Sequence, residues 1–212
     1  MRVGVIGAGR IGGGIARQLA AAGHEVLVAG REPERLAPLA EEIGGRAGTP
    51  AEAAAFGEVV VLSVPSGAFD DALADAGPLD GRIVIDTTNS FGGDAAGTQA
   101  SRNAAKLPGA RYTKSFNTLT AAFQAETAGR DPRVVQWLCG DDADAKRVVA
   151  GLIEDAGFAP VDVGGTADAA VMESPRRPGA VYGEEYRAED AQAVVDAVRA
   201  GRDIPPTPDY GT

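Results

Sequence analysis

The sequence predicts an α/β fold built on a doubly wound, mostly parallel sheet, and three observations lead to this fold class. Short apolar runs rich in β-branched residues alternate with longer segments whose apolar residues recur at helical spacing. The strand-like runs are apolar along their whole length, which is typical of parallel strands covered by helices on both faces. Glycine or proline marks many of the boundaries between the two kinds of segment. One continuous domain over residues 1–165 is therefore expected.

The amino-terminal segments form a strand, a tight turn and a helix, followed by a second strand and helix. The first strand lies in "RVGVIGAG" and its helix in "RIGGGIARQLAAAG", whereas the second pair is "EVLVAG" and "PERLAPLAEEIG". Pro33 near the first turn and Gly44 past the last residue mark the ends of the second helix. The result is a βαβ unit of the Rossmann-like type.

The alternation of strands and helices continues to about Gly165. The predicted elements are, in chain order, a short helix around "PAEAAAF", a strand in "EVVVLSVP", a helix from Gly67 to Ala74, a strand in "GRIVIDTTN", strands in "RYTKSFNT" and "RVVQWLCG", an amphipathic helix in "DADAKRVVAGLIEDAG" and a last strand in "APVDVGG". Residues 166–212 differ, since "AEDAQAVVDAVRAG" is helical while prolines keep "RDIPPTPDYGT" out of regular structure. They are expected to form a short C-terminal helical annex and an extended tail, not an independent domain.

Composition and charge argue against several classes of function. With 44% hydrophobic and 24% charged residues, the 212-residue chain has the composition of a soluble globular protein. A cytoplasmic location is expected because no signal peptide or membrane-spanning run is recognisable. A net charge of −10 argues against nucleic acid or an anionic membrane as a partner. The single cysteine, Cys139, excludes an internal disulfide and a cysteine-rich metal site, so no metal is expected. The single histidine, His24, is interpreted as a surface residue in a helix-to-strand turn.

The motif "GAGRIG" places Gly7, Gly9 and Gly12 in the G-x-G-x-x-G spacing of a dinucleotide site. The first glycine permits the tight turn, the second lets the backbone approach a pyrophosphate, and the third lets the helix pack against the strand. The helix amino terminus then faces the negative charge. Because the motif follows a strand and opens a helix, its whole length is expected to bind the cofactor. The residues concerned are Gly7, Ala8, Gly9, Arg10, Ile11 and Gly12.

The end of the second strand indicates which dinucleotide is expected. NAD enzymes place a carboxylate here to bind the ribose hydroxyls, but this strand ends in Gly30 and Arg31. Arg35 lies four residues after Arg31, so both guanidiniums could converge on a 2′-phosphate, for which the planar Arg fork is suited. The predicted cofactor is NADP(H). The alternative is that both arginines are surface charges paired with Glu32 and Glu34.

A resemblance to a known family rests on the ordered motifs "GAGRIG", "VAGR", "VVVLSVP", "IDTTNSF", "KSFNT" and "CGDDADAK". From Met1 to about Glu173 the chain resembles the NADPH-dependent reductases typified by coenzyme F-420 (8-hydroxy-5-deazaflavin):NADP oxidoreductase, which the cytosolic domain of STEAP-type metalloreductases also resembles. The resemblance implies hydride transfer between NADPH and a deazaflavin or flavin-type acceptor. Such chemistry mainly holds two rings in a near-attack geometry, so no catalytic side chain is expected. The family's second strand often ends in Ser-Arg, and Gly30 in place of the serine removes one hydroxyl contact.

The resemblance also implies positions for the nicotinamide half of the cofactor. Ser63, Val64 and Pro65 would line the pyrophosphate and nicotinamide, while Asn89 and Asn117 would flank the nicotinamide pocket. Each of them follows a predicted strand, where ligands of α/β sheets bind. Without the resemblance, the two asparagines are equally typical of turn residues that cap local backbone.

The resemblance ends at residues 172–173, after which the family commonly continues with an apolar helix that builds the second-substrate cleft and dimer contacts. This chain has "SPRRPG" instead, in which Arg176 and Arg177 could hold an anionic substrate or be solvated. A homodimer is expected. Two alternative functions stay open: reduction of a small imine or carbonyl metabolite, with Tyr182 or Tyr186 as proton donor, and a non-enzymatic NADP(H)-sensing or partner-binding protein with "IPPTPDY" as a docking tail.

Five further residues have structural interpretations. Lys114 could equally contact an anionic cofactor or face solvent, since it lies on an alternating strand. Trp137 and Cys139 are expected to pack within a core strand. Asp141 and Asp142 are expected to cap a helix amino terminus.

Overall fold

The computed structural model describes residues 1–90, 96–173 and 181–210, which contain one eight-stranded sheet. The strands are β1 (Arg2–Ile6), β2 (Glu25–Ala29), β3 (Arg46–Gly48), β4 (Val59–Leu62), β5 (Ile83–Asp86), β6 (Arg111–Ser115), β7 (Val135–Gly140) and β8 (Ala159–Gly164). Their spatial order is β3-β2-β1-β4-β5-β6-β7-β8, and only the β6–β7 pair is antiparallel among the described strands. The expected α/β, doubly wound and mostly parallel sheet is therefore confirmed.

Helices connect the strands. They are α1 (Arg10–Ala21), α2 (Ala37–Glu42), α3 (Pro50–Phe56), α4 (Phe69–Ala76), α5 (Gln99–Ala105), α6 (Ala121–Thr127), α7 (Ala143–Asp155) and α8 (Ala188–Arg199), with 3₁₀ turns at Pro33–Leu36, Ser66–Ala68 and Thr166–Met172. Successive strand residues point to opposite faces of the sheet, so each strand contributes to two apolar layers. Val3 and Val5 belong to the layer that contains residues of α1 and α7, whereas Ile6 belongs to the layer with residues of α3, α4 and α8.

The strand order leaves a crevice at the carboxyl ends of β1 and β4. β1 pairs with β2 on one side and with β4 on the other. The chain therefore forms β2 and β3 on one side of β1 and then crosses over to form β4 on the other side. In open α/β sheets such a reversal separates the loops that follow the two strands, and ligands bind in the resulting gap. The fold thus places the glycine motif and the residues after β4 on either side of one opening.

Three elements of the sheet and its cover lie outside the sequence-based expectation: β3, α5 and α6. β3 has three residues and the two helices have seven each, which is too short to show a clear hydrophobic period. Thr98 and Thr120 are the N-caps of α5 and α6, and each side chain accepts a hydrogen bond from a backbone N–H three residues later. A threonine N-cap is therefore the signal that could have located them. The helix expected from Pro33 begins as a 3₁₀ turn and becomes α-helical only at Ala37.

The carboxyl-terminal helix forms as expected and packs against the sheet. Val194 of α8 is fully buried in the same apolar layer as Trp137 of β7. Residues 202–210 have no regular structure, also as expected. The tail nevertheless folds back, because the Tyr210 hydroxyl donates to Asp190 Oδ2 at 2.6 Å and accepts from the Arg187 N–H at 2.9 Å. Within the described residues, no helix is long and apolar enough to cross a membrane.

The structure confirms the interpretations of Trp137, Cys139 and Asp142 but not that of Asp141. Trp137 and Cys139 are buried in the core as expected, and burial raises the pKa of the Cys139 thiol to about 12. Asp142 caps α7 as expected, by accepting from the N–H groups of Asp144 and Ala145. Asp141 does not cap this helix; its carboxylate instead accepts from the N–H and hydroxyl of Thr166.

His24 lies in the predicted turn, but its interpretation as a surface residue is wrong for most of the side chain. The imidazole is only 10% exposed, because Nε2 lies 3.0 Å from Asp155 Oδ2 and Nδ1 lies 3.3 Å from the chain's amino group. This position is at the amino ends of β1 and β2, on the side of the sheet opposite the crevice.

Candidate cofactor-binding site

The crevice at the carboxyl ends of β1 and β4 contains a cavity of about 260 Å³. Seven of the residues predicted to bind the cofactor line it, namely Gly7, Gly9, Gly30, Arg31, Ser63, Val64 and Pro65. The other lining residues, which sequence reasoning missed, are Ile6, Pro50, Ala68, Asp71, Ala72 and Asp75. The predicted residues Ala8, Arg10, Ile11, Gly12, Arg35, Asn89 and Asn117 are not part of this wall.

The three glycines of the motif are required for different reasons. Gly7 has φ +90°, and a Cβ there would lie 2.3 Å from the Ser63 carbonyl oxygen. A Cβ on Gly12 would lie 2.2 Å from the Gly7 carbonyl oxygen, so this glycine allows α1 to approach the strand end. A Cβ on Gly9 would meet no atom within 4 Å. The packing of the protein therefore excludes side chains at Gly7 and Gly12 but leaves open space beside Gly9.

The amino terminus of α1 opens beside this space. Gly9 is its N-cap residue, and no side chain caps the helix or places an acid in its first turn. The free N–H groups and the helix dipole therefore favour a negative group here. Ser63 forms the opposite wall, where its hydroxyl accepts a hydrogen bond from Thr87 Oγ1 at 3.1 Å.

The two arginines after β2 occupy different environments. Arg31 is exposed on the cavity wall. Arg35 does not line the cavity and donates from Nη1 to Glu32 Oε1 at 3.2 Å, with both side chains largely exposed. The surface-pair alternative thus describes Arg35, whereas in the described part of the chain no ion pair joins Arg31 to Glu32 or Glu34.

Two carboxylates of α4 line the same cavity as Arg31. Asp71 and Asp75 are one helical turn apart and so share a face of the helix. Adjacent Asp70 points elsewhere, because its carboxylate accepts from Lys106 Nζ at 2.6 Å. The four-residue spacing of Asp71 and Asp75 could have predicted the shared helix face, but not that this face lies beside Arg31.

Asn89 and Asn117 bind each other across the ends of β5 and β6. Asn89 Nδ2 donates to the Asn117 carbonyl oxygen at 2.7 Å, and Asn117 Nδ2 donates to Asn89 Oδ1 at 3.1 Å. Asn117 Nδ2 also donates to the Met172 carbonyl oxygen at 2.7 Å. The partners are 28 and 55 residues apart, so the interpretation of these asparagines as local turn caps is wrong.

The backbone beside Asn117 is strained. Phe116 has φ +58°, a left-handed conformation that is rare for a bulky non-glycine residue. Its ring is buried edge-to-face against Phe158, and its carbonyl oxygen accepts from Gln124 Nε2 at 3.2 Å. Strained residues held in place by their surroundings occur often at functional sites. The strained conformation therefore makes the end of β6 a candidate functional position.

Known proteins are similar to this chain in sequence and in fold. Residues 2–90 match the family model described as NADP oxidoreductase, coenzyme F420-dependent. The F420-dependent NADP reductase of Methanothermobacter thermautotrophicus is 32% identical over 201 residues, which cover 82% of this chain and 85% of that protein. The chain belongs to the F420-dependent NADP oxidoreductase family. The resemblance drawn from the ordered motifs is thereby confirmed.

Two other similarities define the extent of the match. The metalloreductase STEAP3 of Rattus norvegicus is 27% identical over 176 residues, and the match covers 82% of this chain but only 36% of that protein. A solved structure of a hypothetical protein from Sinorhizobium meliloti has a TM-score of 0.78 and 29% identity, covering 88% of this chain and 95% of that one. The chain thus spans about a third of the rat relative, while the fold is shared over nearly the whole of the bacterial one.

A buried polar cluster of Lys114, Asp86 and Tyr112 lies next to the residues that follow β5. Lys114 neither faces solvent nor lines the cavity, so both of its predicted positions are wrong: the side chain is fully buried and donates to the Thr88 carbonyl oxygen. Its Nζ lies 3.6 Å from Asp86 Oδ2. The Tyr112 hydroxyl donates to the same oxygen at 2.6 Å, and burial, followed by the charge of Asp86, raises the pKa of Tyr112 well above its usual value. Charged residues inside the apolar strands β5 and β6 were the signal for this cluster.

The residues expected near a second substrate are Tyr182, Tyr186, Arg176 and Arg177. The Tyr186 side chain is buried, and its ring packs edge-to-face on Trp137 with 5.3 Å between centroids. Tyr186 therefore packs the carboxyl-terminal segment onto the sheet, whereas Tyr182 is partly exposed. Arg176 and Arg177 lie outside the described residues.

Proposed function

We propose that the protein is an NADP(H)-dependent oxidoreductase that transfers a hydride between NADPH and a deazaflavin (F-420) or flavin-type acceptor. The observation that carries the proposal is the cavity lined by Gly9, Ser63 and Arg31, in a chain that matches an F420-dependent NADP reductase along most of both lengths. Gly30 stands where an NAD-binding strand carries an acid, and Arg31 follows it. When bound, NADPH supplies the hydride from its nicotinamide ring.

The residues present fit the parts of this cofactor. The open space beside Gly9 and the uncapped amino terminus of α1 suit the pyrophosphate. Arg31 donates to the 2′-phosphate in the proposed arrangement, and Gly30 leaves no carboxylate there to repel it. Ser63, Val64 and Pro65 line the path from the pyrophosphate to the nicotinamide. Asn89 and Asn117 flank the ring in this proposal.

Hydride transfer requires little acid or base chemistry from these side chains. Their task is to hold the nicotinamide against the acceptor ring and to exclude water. The alternative reduction of an imine or carbonyl compound requires a positioned proton donor. Of the two candidates, Tyr186 does not supply one because it is buried against Trp137, and only the partly exposed Tyr182 is left. The non-enzymatic alternative uses the tail for docking, but Tyr210 is bound to the chain's own Asp190. We therefore favour the deazaflavin or flavin reductase.

The decisive experiment is anaerobic stopped-flow mixing of the protein with NADPH and oxidised F-420, followed by deazaflavin absorbance. FMN as acceptor and NADH as donor serve as parallel reactions, and the Arg31→Ala variant is the control for the cofactor site. We expect bleaching that is faster with NADPH than with NADH. Binding of NADPH without bleaching of either F-420 or FMN would contradict the proposed reaction.

A cytoplasmic homodimer without nucleic-acid or membrane partners completes the proposal. Its support is the net charge of −10 and the family resemblance. Sedimentation equilibrium of the purified protein tests the dimer, because a single species at 21.5 kDa contradicts it.

A further inference from the structure

Lys114 is a buried cation that the proposed chemistry does not use. It is the next-to-last residue of β6, its side chain is fully buried, and its amine donates to the Thr88 carbonyl oxygen. A buried charge is costly unless it is paired and hydrogen-bonded. Asp86 provides the opposite charge, with 3.6 Å between Lys114 Nζ and Asp86 Oδ2.

Asp86 does not depend on Lys114 for its hydrogen bonds. Asp86 Oδ1 accepts from the Thr88 N–H at 2.7 Å, and Oδ2 accepts from Asn103 Nδ2 at 2.8 Å and from the Tyr112 hydroxyl at 2.6 Å. The 3.6 Å separation from Lys114 is that of an ion pair without a direct hydrogen bond. The hydrogen bond of Lys114 is therefore directed at the backbone of Thr88.

Hydrogen bonds fix the residues on both sides of Asn89, namely Thr88 and Ser90. The Thr88 hydroxyl accepts from Gln99 Nε2 at 3.1 Å and from Asn103 Nδ2 at 3.3 Å. On the other side, the Ser90 N–H donates to Gln99 Oε1 at 2.9 Å. With the Thr88 N–H bound to Asp86 and its carbonyl oxygen to Lys114, little freedom remains for the peptide that carries Asn89.

Asn89 in turn bonds to Asn117, which follows the strained Phe116. The chain of contacts thus runs from Lys114 to Thr88, from Thr88 to Asn89 through one peptide, and from Asn89 to Asn117 through two hydrogen bonds. Neither the glycine motif nor Arg31 takes part in it. The contacts concern one half of the proposed cofactor site.

We propose that Lys114 is a positioning residue for the nicotinamide half of the cofactor site. By holding the Thr88 carbonyl oxygen it sets the position of Asn89, and through Asn89 that of Asn117. The inference rests on the proposed function, since it assumes that NADP(H) binds with its nicotinamide beside these asparagines. It assigns to a fully buried side chain an effect on one half of a ligand that it does not touch.

Two ligands separate the two halves in a binding experiment. NADPH occupies both halves, whereas adenosine 2′,5′-bisphosphate carries only the adenosine and the 2′-phosphate. In Lys114→Met we expect the dissociation constant for NADPH to rise about tenfold, while that for the bisphosphate stays within about twofold. Isothermal titration calorimetry measures both constants. The control is Lys106→Met, which removes an exposed lysine bound to Asp70 and should change neither constant.

Lys114→Met leaves the buried Asp86 without its counter-charge, so a second variant, Asp86→Asn with Lys114→Met, removes both charges. If Lys114 acts by position, the double variant keeps the selective loss of NADPH affinity. Recovery of wild-type NADPH affinity in the double variant overturns the proposal, because Lys114 would then only neutralise Asp86. An equal loss for both ligands also overturns it. A wild-type protein that binds neither ligand overturns the proposed function itself, and this inference with it.

Discussion

The cavity wall combines Arg31 with two carboxylates, Asp71 and Asp75. Counting these three side chains, the wall is net negative, although the proposed ligand carries a 2′-phosphate. Arg31 can donate two charge-assisted hydrogen bonds directly to a phosphate, whereas exposed carboxylates at longer range are screened by solvent. In the proposed arrangement, recognition at this site therefore depends on one short contact between Arg31 and the phosphate, working against a weaker repulsion.

Arg31→Ala is expected to raise the dissociation constant for NADPH by about 10- to 100-fold and to leave that for NADH within about twofold, because only NADPH has the 2′-phosphate. Titration of the nucleotide's fluorescence measures both constants. Arg35→Ala is the matched control and should have a smaller effect, since Arg35 is already bound to Glu32. Equal losses for the two nucleotides in Arg31→Ala would rule out the 2′-phosphate assignment.

Removing the two acids should act in the opposite direction. Asp71→Asn with Asp75→Asn preserves size and removes two negative charges from the cavity wall. We expect NADPH to bind about three- to tenfold more tightly at low salt, with a smaller gain for NADH, and the gain to shrink as salt screens the charges. Asp70→Asn, on the same helix but paired with Lys106, is the control. An affinity that does not change at low salt contradicts the repulsion.

Gly30 offers a gain-of-affinity test. A Cβ at this position would meet only Leu36 Cδ1, at 3.4 Å, which is a contact that a flexible side chain tolerates. Gly30→Ser should therefore fold and tighten NADPH binding by about two- to tenfold through one added hydroxyl contact. Gly30→Ala adds the Cβ without the hydroxyl and controls for the backbone. The same affinity in both variants would show that the hydroxyl makes no contact with the ligand.

Among the helices, α7 is the clearest case of a cap that can be tested. Asp142 accepts from the N–H groups of Asp144 and Ala145 and from Arg111 Nε at 2.6 Å. The hydrogen bond from Arg111, followed by that from the Ala145 N–H, holds the pKa of this carboxyl well below its usual value. Because the folded-state pKa is depressed, the stabilisation is present above the unfolded pKa and is lost as the pH falls through the folded one.

Asp142→Ala should lower the midpoint of thermal unfolding by a few degrees at pH 7, since it removes an N-cap. The difference from wild type should stay constant down to about pH 5 and narrow below about pH 4. Scanning calorimetry over this range measures it. Asp144→Ala removes the exposed partner of Arg147 and serves as control. A difference that persists unchanged at the lowest pH contradicts the role of the charged carboxylate.

Element prediction from the sequence depended on length. β1, α1 and β2 are recognisable because a run of apolar residues or a helical period extends over the whole element. β3 is not, because its three residues, Arg46–Gly48, have no period and form a strand only by pairing with β2. Pairing energy comes from the neighbour, so the sequence of such an edge strand carries little of the information.

At the scale of the whole molecule, the division into residues 1–165 and 166–212 stays a prediction, and truncation tests it. α8 buries Ala191, Val194 and Val195 in the same apolar layer as Trp137. A chain ending at residue 187 should therefore lose cooperative thermal unfolding or precipitate, because that layer becomes exposed. A chain ending at residue 201 loses the tail contacts of Tyr210 and the packing of partly buried Ile204, and should unfold within several degrees of wild type. A soluble fragment of residues 1–187 that unfolds at the wild-type temperature would show that the fold does not depend on α8.

The sequence by itself determined the order of the main strands and helices, the glycine turn and the arginine after β2. These features depend on residues that are close in the chain, where periodicity and turn chemistry act. Only the tertiary structure decided that Asp71 and Asp75 share a wall with Arg31, and that Lys114 is buried under Thr88. It also decided that Asn89 and Asn117, 28 residues apart, bind each other. The asparagines meet because parallel strands bring the loops at their carboxyl ends together at one edge of the sheet. The other contacts join segments that are distant in the chain, so no local pattern encodes them.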